Sequence, residues 1–173
     1  MDAPLKFTIK ESLISMIEYE ICSMTTESEM DEKGYVHWKS WQETYEGLMP
    51  QEYLENITLE KCIKMAHKWP QNTLLLKVDG NSVGFACVGK SKDTDGADEV
   101  IAIYLLEEYQ GKKLGCALLK EAISRLSDSR KIVLWVLQGN DRAIRFYQKF
   151  GFAFNGKEKQ LPFGTELQME MIS

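Results

Sequence analysis

Apolar and polar positions along the chain alternate between a period of two and a period near 3.6, which predicts strands interleaved with helices. Residues 5–9 (LKFTI) alternate and predict a first strand. Apolar residues at positions 13, 14, 17 and 21 recur at helical spacing, so we predict a helix there, followed by a polar loop over residues 25–33. Residues 35–45 predict a second helix, in which Trp38, Trp41 and Tyr45 share one face.

The rest of the chain continues this interleaving. Further strands are predicted over residues 73–78, 83–88, 99–106, 131–137, 152–155 and 165–171. Further helices are predicted over residues 58–69, 112–126 and 141–150, with Thr58 and Asn140 as N-caps. The strand at 99–106 is nearly all apolar, so we expect both of its faces to be buried. The order of elements predicts an α/β chain of the α+β type, with a mixed, mostly antiparallel central sheet flanked by helices.

The size and charge of the chain limit which classes of function are compatible with the sequence. The 173 residues suit one domain, so we expect residues 1–173 to fold as a single unit. The net charge of −5 and the absence of a Lys/Arg stripe argue against a nucleic-acid partner. No apolar run approaches the roughly 20 residues that span a bilayer, and the first ten residues carry no leader-type apolar segment. The four cysteines fit no zinc spacing, so we expect a cytoplasmic protein with reduced thiols, no metal and no membrane contact.

A candidate anion site lies in residues 109–119 (YQGKKLGCALL), between a buried strand and a helix. The start of a helix offers unpaired N–H groups and the positive end of its dipole. Gly111 and Gly115 let a ligand approach the backbone, and Lys112 and Lys113 add positive charge. Two glycines before a helix are as common in plain turns and packing contacts, so spacing alone leaves both interpretations open. Cys116, inside the helix, is expected to pack against neighbours.

This segment resembles the signature loop of the GNAT superfamily of N-acetyltransferases, which has the pattern Gln/Arg-x-x-Gly-x-Gly/Ala. Gln110 and Gly115 match, while Lys113 stands where the family usually has glycine. Its N–H can still reach a pyrophosphate if its backbone is helical.

A second match extends the resemblance over residues 134–152, where a strand, a cap, an aromatic pair and a helix stop occur in register. The matching residues are Asn140, Ala143, Phe146, Tyr147, Gly151 and Phe152.

The resemblance implies a GNAT acyl-CoA N-acyltransferase fold with acetyl-CoA as cosubstrate. In the family, two neighbouring strands splay apart and the pantetheine lies between them; here those strands are residues 99–106 and 131–137. The cofactor-binding residues implied are Tyr104, Leu105 and Leu106 for the pantetheine, Gln110, Gly111, Lys112, Lys113, Leu114 and Gly115 for the pyrophosphate, and Asn140 near the middle of the cofactor.

The resemblance also implies the catalytic groups. Tyr147 would be the general acid, since a phenol keeps its proton at neutral pH and can give it to a departing thiolate. Its alternative role is that of a core aromatic. Glu99 stands where many relatives carry glutamate, so it would accept the proton of the amine, either directly or through water. Its alternative is a solvated carboxylate at a strand end.

The acceptor is the least defined part of the prediction. Tyr45, with Trp38 and Trp41, is expected to wall a pocket for a cationic amine. Net charge and the acidic residues 27–32 favour a small polycation such as a polyamine. A protein N-terminus or a lysine side chain is an alternative acceptor, and a catalytically inactive acetyl-CoA sensor is an alternative of another class. Family members are often dimers, so a homodimer is the expected assembly.

Overall fold

The computed structural model describes residues 5–11, 15–126 and 130–172. Within these residues the strands are β1 Leu5–Glu11, β2 Ser15–Ser23, β3 Thr73–Val78, β4 Asn81–Lys90, β5 Asp98–Leu105, β6 Lys131–Leu137, β7 Ala153–Leu161 and β8 Gly164–Ile172. The helices are α1 Glu27–Tyr45, α2 Gln51–Glu55, α3 Leu59–Lys68, α4 Leu114–Ser124 and α5 Asp141–Phe150. A 3-10 turn, Glu107–Tyr109, leads into the segment before α4. No helix in the described ranges has the length and apolar character needed to cross a membrane.

The strands form one sheet in the order β1-β2-β3-β4-β5-β6-β8-β7, which confirms the predicted mixed, mostly antiparallel sheet. Every described pairing is antiparallel except that between β5 and β6. The parallel pairing is short, since it joins only Asp98 with Ile132 and Glu99 with Val133. Beyond those pairs the two strands separate.

Helices α1 and α4 cover opposite faces of the sheet. Phe85 of β4 and Tyr104 of β5 are paired and both contact the ring of His37 on α1. Their neighbour Leu105 points the other way, because side chains alternate along a strand, and it lies against Gly115 of α4. The face that carries Phe85 and Tyr104 is called the α1 face below.

The helix predicted around positions 13–21 is wrong. Positions 13 and 14 lie outside the described residues, while Ile17 and Ile21 belong to strand β2, which pairs with β1 and β3. Residues four apart satisfy both periods, and the intervening Tyr19, which is also buried, shows that the period here is two.

The loop predicted over residues 25–33 is also wrong, because α1 begins at Glu27. Thr26 caps it, and its hydroxyl accepts from the Glu29 N–H while the Glu29 carboxylate accepts from the Thr26 N–H. The carboxylate of Glu29 also binds the Lys77 ammonium at 2.9 Å, and that of Glu32 accepts from the Ser82 hydroxyl. These acidic side chains serve the helix start and the sheet, so they do not form an acceptor-binding loop. The predicted helix at 35–45 is the second half of α1.

Strand β5 is not buried on both faces as predicted. Val100 is buried, but the side chain of Ile101 is 58% exposed. Two features explain this: the register with β4 shifts between Cys87 and Val88, and β6 leaves β5 just before this point. A bulge re-aims side chains, so Ile101 faces the space between the separating strands.

Candidate active site

A cleft of about 720 Å³ opens where β5 and β6 separate. It is lined by the end of α1, the strands β5 and β6, the turn before α4, and α5. From Val100 onward the edge of β5 that faces β6 has no ladder partner, since the pairing ends at Glu99. Unpaired strand edges bind extended amide-containing groups by backbone hydrogen bonds.

One end of the cleft is the start of α4. Gln110, Gly111, Lys113 and Gly115 line it there, and the Gln110 side-chain amide donates to the Leu105 carbonyl at 2.8 Å. The first turn of a helix leaves N–H groups without intrahelical partners, so this end of the cleft is suited to an anion. Gly111 has φ +77, a conformation that glycine adopts at little cost.

The condition set for Lys113, a helical backbone, is not met. It is the N-cap of α4 with φ 63 and ψ 0, in the left-handed region. A lysine therefore adopts here the conformation for which glycine is the ordinary choice. This left-handed conformation explains why glycine is usual at this position of the GNAT signature loop.

Replacing Lys113 with glycine is expected to raise the free energy of unfolding by about 0.5–1 kcal/mol, because the left-handed conformation then carries no Cβ penalty and only part of the gain is offset by chain entropy. Urea denaturation followed by circular dichroism measures it. The control is Lys112→Gly, since Lys112 does not have a positive φ and the change should not stabilise the protein. Equal loss of stability in both variants would contradict the left-handed conformation.

Two basic side chains at the cleft were missed by the sequence analysis. Arg142 and Lys149 both line it from α5, seven residues apart and therefore on one helical face. With Lys113 they are basic side chains in a cleft lining that also includes the carboxylates of Glu43, Glu107 and Asp141. The signal was available as a basic i, i+7 pair after the Asn140 cap.

Three tyrosines meet at the wall of the cleft: Tyr45, Tyr104 and Tyr147. The hydroxyls of Tyr45 and Tyr104 are hydrogen-bonded at 3.0 Å. Tyr147 is 8% exposed, and burial, with a smaller contribution from Tyr45, raises the pKa of its phenol above the usual range. Burial likewise raises the pKa of Tyr104 and of Tyr45. All three phenols therefore keep their protons at neutral pH.

Aromatic rings extend this wall away from the cleft. Trp41 contacts Tyr45 at 5.0 Å between ring centroids and Phe163 at 6.3 Å, and Tyr53 contacts Phe163 at 4.9 Å. Trp38, which was expected in the same wall, instead contacts Tyr35.

His37 lies beneath this wall and is stacked on Tyr104. Burial lowers the pKa of its imidazole to about 3, with a further contribution from the charge of Lys33. The ring is therefore neutral at physiological pH. Its ring contacts are with Trp41, Phe85 and Tyr104, so His37 is part of the aromatic packing under the wall.

Glu99 closes the parallel ladder but does not itself line the cleft; its neighbour Val100 does. Burial raises the pKa of its carboxyl, a hydrogen bond with Ser91 opposes the rise, and the carboxylates of Asp93 and Glu166 add to it. The raised pKa places Glu99 nearer to the range in which a carboxylate acts as a base. A path from the cleft to this carboxylate requires an intervening water.

The structure places the remaining predicted site residues as follows. Asn140 lines the cleft and caps α5, its side-chain oxygen accepting from the Ala143 N–H at 3.2 Å. Leu106 and Leu114 are buried in the core and do not line the cleft. The Lys112 ammonium lies 5.5 Å from the centroid of the Tyr109 ring.

Cys116 is exposed and lines the cleft, so the expected packing role is wrong. Across the described ranges no three His, Cys, Asp or Glu side chains are arranged to hold a metal.

Comparison with known proteins agrees with this geometry. A family model described as "Acetyltransferase (GNAT) family" matches residues 33–152. The chain is 38% identical over 102 residues to a spermine/spermidine N(1)-acetyltransferase of Bacillus subtilis, a match that covers 54% of this chain and 65% of the relative. It is 33% identical over 124 residues to the uncharacterised N-acetyltransferase YuaI of the same organism, covering 66% of this chain and 69% of that one.

Among solved structures, the PaiA N-acetyltransferase of Thermoplasma acidophilum in complex with coenzyme A superposes with a TM-score of 0.72 at 26% identity, covering 90% of this chain and 99% of that chain. The family model spans more than half of the sequence, and it includes the fork between β5 and β6, the start of α4 and all of α5. The protein therefore belongs to the GNAT family of acetyltransferases.

Proposed function

We propose that the protein is an N-acetyltransferase that transfers the acetyl group of acetyl-CoA to a primary amine, and that the acceptor is a small cationic amine such as a polyamine. The observation that carries the proposal is the fork between β5 and β6, which joins a free strand edge, a helix start and a buried phenol in one cleft. In the proposed reaction these would bind the pantetheine arm, bind the pyrophosphate and protonate the departing sulfur.

The residues that line the cleft suit a long, anionic cosubstrate. The edge of β5 that faces β6, free from Val100 onward, would pair with the amides of the pantetheine arm. The first N–H groups of α4, together with Lys113 and Gly115, would hold the pyrophosphate, and Arg142 and Lys149 would neutralise further phosphate charge. Acetyl-CoA supplies the acetyl group as an activated thioester.

The proton transfers are assigned to Tyr147 and Glu99. Tyr147 would donate its phenolic proton to the sulfur as the carbon–sulfur bond breaks, since its raised pKa keeps the proton in place until then. Glu99 would accept the proton released by the amine, through a water in the cleft. The amine nitrogen forms the new bond to the acetyl carbon directly, so the exposed Cys116 has no covalent role in this scheme.

A cationic acceptor is supported by the aromatic wall and by the relatives. Aromatic faces attract alkylammonium groups by about 0.5–2 kcal/mol per contact. Trp41, Tyr45 and Phe163 provide such faces beside the cleft. One relative is named spermine/spermidine N(1)-acetyltransferase, and we propose the polyamine class of acceptor for this protein on the basis of that name.

The experiment that tests the proposal is thiol release from acetyl-CoA in the presence of a panel of amines: polyamines, amino acids, aminoglycosides and short peptides. Turnover limited to polyamines supports the proposal. Turnover with peptides alone would replace the acceptor class, and acetyl-CoA binding by calorimetry without turnover would favour a sensor.

Glu99→Gln tests the base. In the wild type, kcat/KM is expected to fall as the pH drops through the raised pKa of Glu99, because protonation removes the base. The variant should lose this acidic limb and at least about tenfold in kcat/KM at neutral pH. Glu108→Gln, which changes an exposed carboxylate on the 3-10 turn, is the control and should retain the limb. An unchanged profile in Glu99→Gln would leave Glu99 with a structural role.

A further inference from the structure

The ammonium of Lys159 lies in a cage of acidic and aromatic groups. Its nitrogen is 4.1 Å from the centroid of the Trp135 ring, 3.4 Å from an oxygen of Glu166 and 3.5 Å from an oxygen of Asp93. The charge of Lys159 is also felt by Glu99. Asp93, Glu99, Trp135 and Glu166 are called the ammonium cage below.

The sheet register explains why these residues meet. Glu166 pairs with both Lys159 on β7 and Leu137 on β6, so all three side chains point to the same face. Trp135, two residues before Leu137, shares that face because side chains alternate along a strand. Leu137 packs with Tyr45 of α1, so the cage lies on the α1 face of the sheet.

The loop between β4 and β5 closes the cage. It contributes Asp93, and it is fastened to the β7–β8 hairpin by Thr94, whose hydroxyl hydrogen-bonds Gln168 at 3.2 Å and the Lys157 ammonium at 3.2 Å. The position of Asp93 over the sheet is therefore built into the fold.

The cage adjoins the cleft. Trp135 lines the cleft and also lies against Lys159. The carboxylate of Glu166 raises the pKa of Tyr45, which itself lines the cleft. A ligand that extends from the cleft along the α1 face therefore meets the cage first at Trp135.

An external ammonium group can displace the Lys159 ammonium from the cage. The Lys159 ammonium interacts with three carboxylates, the Lys157 ammonium lies 3.5 Å from the Asp93 carbonyl oxygen beside it, and the Lys159 side chain is 35% exposed. It lies on β7, the outermost strand of the sheet, whose register with β8 is broken between Phe154 and Glu158. Ion pairs at this level of exposure contribute only about 0–1 kcal/mol, so an external ammonium can compete for the same contacts.

We propose that the ammonium cage is the subsite for a distal ammonium group of a polycationic acceptor, and that Lys159 occupies it until the acceptor displaces it. The inference rests on the proposed function, because it extends the acceptor site of that reaction. The cage offers an alkylammonium what Lys159 finds there: carboxylate acceptors for its N–H groups and an indole face for its charge. A monoamine has no second charge to place in the cage, so Lys159 would select for acceptors with two or more amines.

The test is calorimetric titration of the full chain, in the presence of coenzyme A, with spermidine and with n-butylamine. Lys159→Met empties the cage of its cation and keeps the length of the side chain. It is expected to tighten spermidine binding by about fivefold, the equivalent of one exposed ion pair, and to leave n-butylamine binding unchanged. Lys120→Met is the control, since it removes the same charge from an exposed position of α4, on the opposite face of the sheet from the cage and outside the cleft.

For Glu166→Gln we expect the opposite result, and this second test does not depend on the stability of the Lys159 variant. The change should weaken spermidine binding severalfold and leave n-butylamine binding unchanged. Equal tightening in Lys159→Met and Lys120→Met would overturn the proposal, as that result is a general effect of net charge. Absence of spermidine binding to wild type and Lys159→Met would also overturn it. Spermidine binding that follows the expected pattern without thiol release would refute the proposed transferase activity and support the cage.

Discussion

Tyr147→Phe is expected to lower kcat for acetyl transfer about a hundredfold, because in the proposed mechanism the departing sulfur takes up the phenolic proton that this change removes. The ring stays in place, packed against Phe146 and Phe152, so acetyl-CoA affinity and thermal stability should hardly change. Steady-state thiol release gives kcat, and calorimetry with coenzyme A gives the affinity.

Tyr35→Phe is the control for this prediction, since Tyr35 is an exposed tyrosine of α1 that does not line the cleft. It should retain wild-type kcat. A Tyr147→Phe variant with kcat within about twofold of wild type would remove Tyr147 from the proton transfer and leave it as a core aromatic.

Gly34→Ala is expected to lower the free energy of unfolding by about 2–3 kcal/mol. At Gly34, helix α1 crosses α3 so closely that an added Cβ would lie 2.6 Å from a side-chain carbon of Ile63 and 2.7 Å from its Cα. A backbone atom cannot move aside as a side chain can, so the two helices must separate. Urea denaturation measures the loss.

Gly115→Ala is the matched control, a second glycine inside a helix. Its added Cβ would meet nothing nearer than 3.8 Å, so helix propensity should leave stability unchanged or raise it by about 0.5–1 kcal/mol. Equal destabilisation in the two variants would contradict a close crossing of α1 and α3.

Much of the fold was predictable from the sequence because local signals agreed with tertiary structure. The caps at Thr58 and Asn140 and the helix stop at Gly151 are where the pattern predicts them. The errors occurred where a local signal was ambiguous or overlooked. Ile17 and Ile21 fit both periods, and only the pairing of β2 with its neighbours decides between them. Thr26 and Glu29 carried a capping-box signal that marks the true start of α1.

The candidate site was predictable to the extent that it is local in sequence. Gln110, Gly115, Asn140 and Tyr147 belong to two continuous motifs, and the structure brings them to one cleft. The acceptor side was not predictable in the same way. It is assembled from residues far apart in the chain, and Trp135 meets Lys159 only because β6 and β7 both flank β8.

The short ladder between β5 and β6 divides the sheet into two sub-sheets joined at two residue pairs. A ligand that fills the fork touches both sub-sheets, so its binding free energy adds to the attachment between them. We also expect the sheet to open locally most readily at this junction, since few backbone hydrogen bonds must break there. Loss of a ligand from the fork would then loosen the attachment of β6, β7 and β8 to the rest of the sheet, so ligand supply would regulate the stability of one half of the sheet.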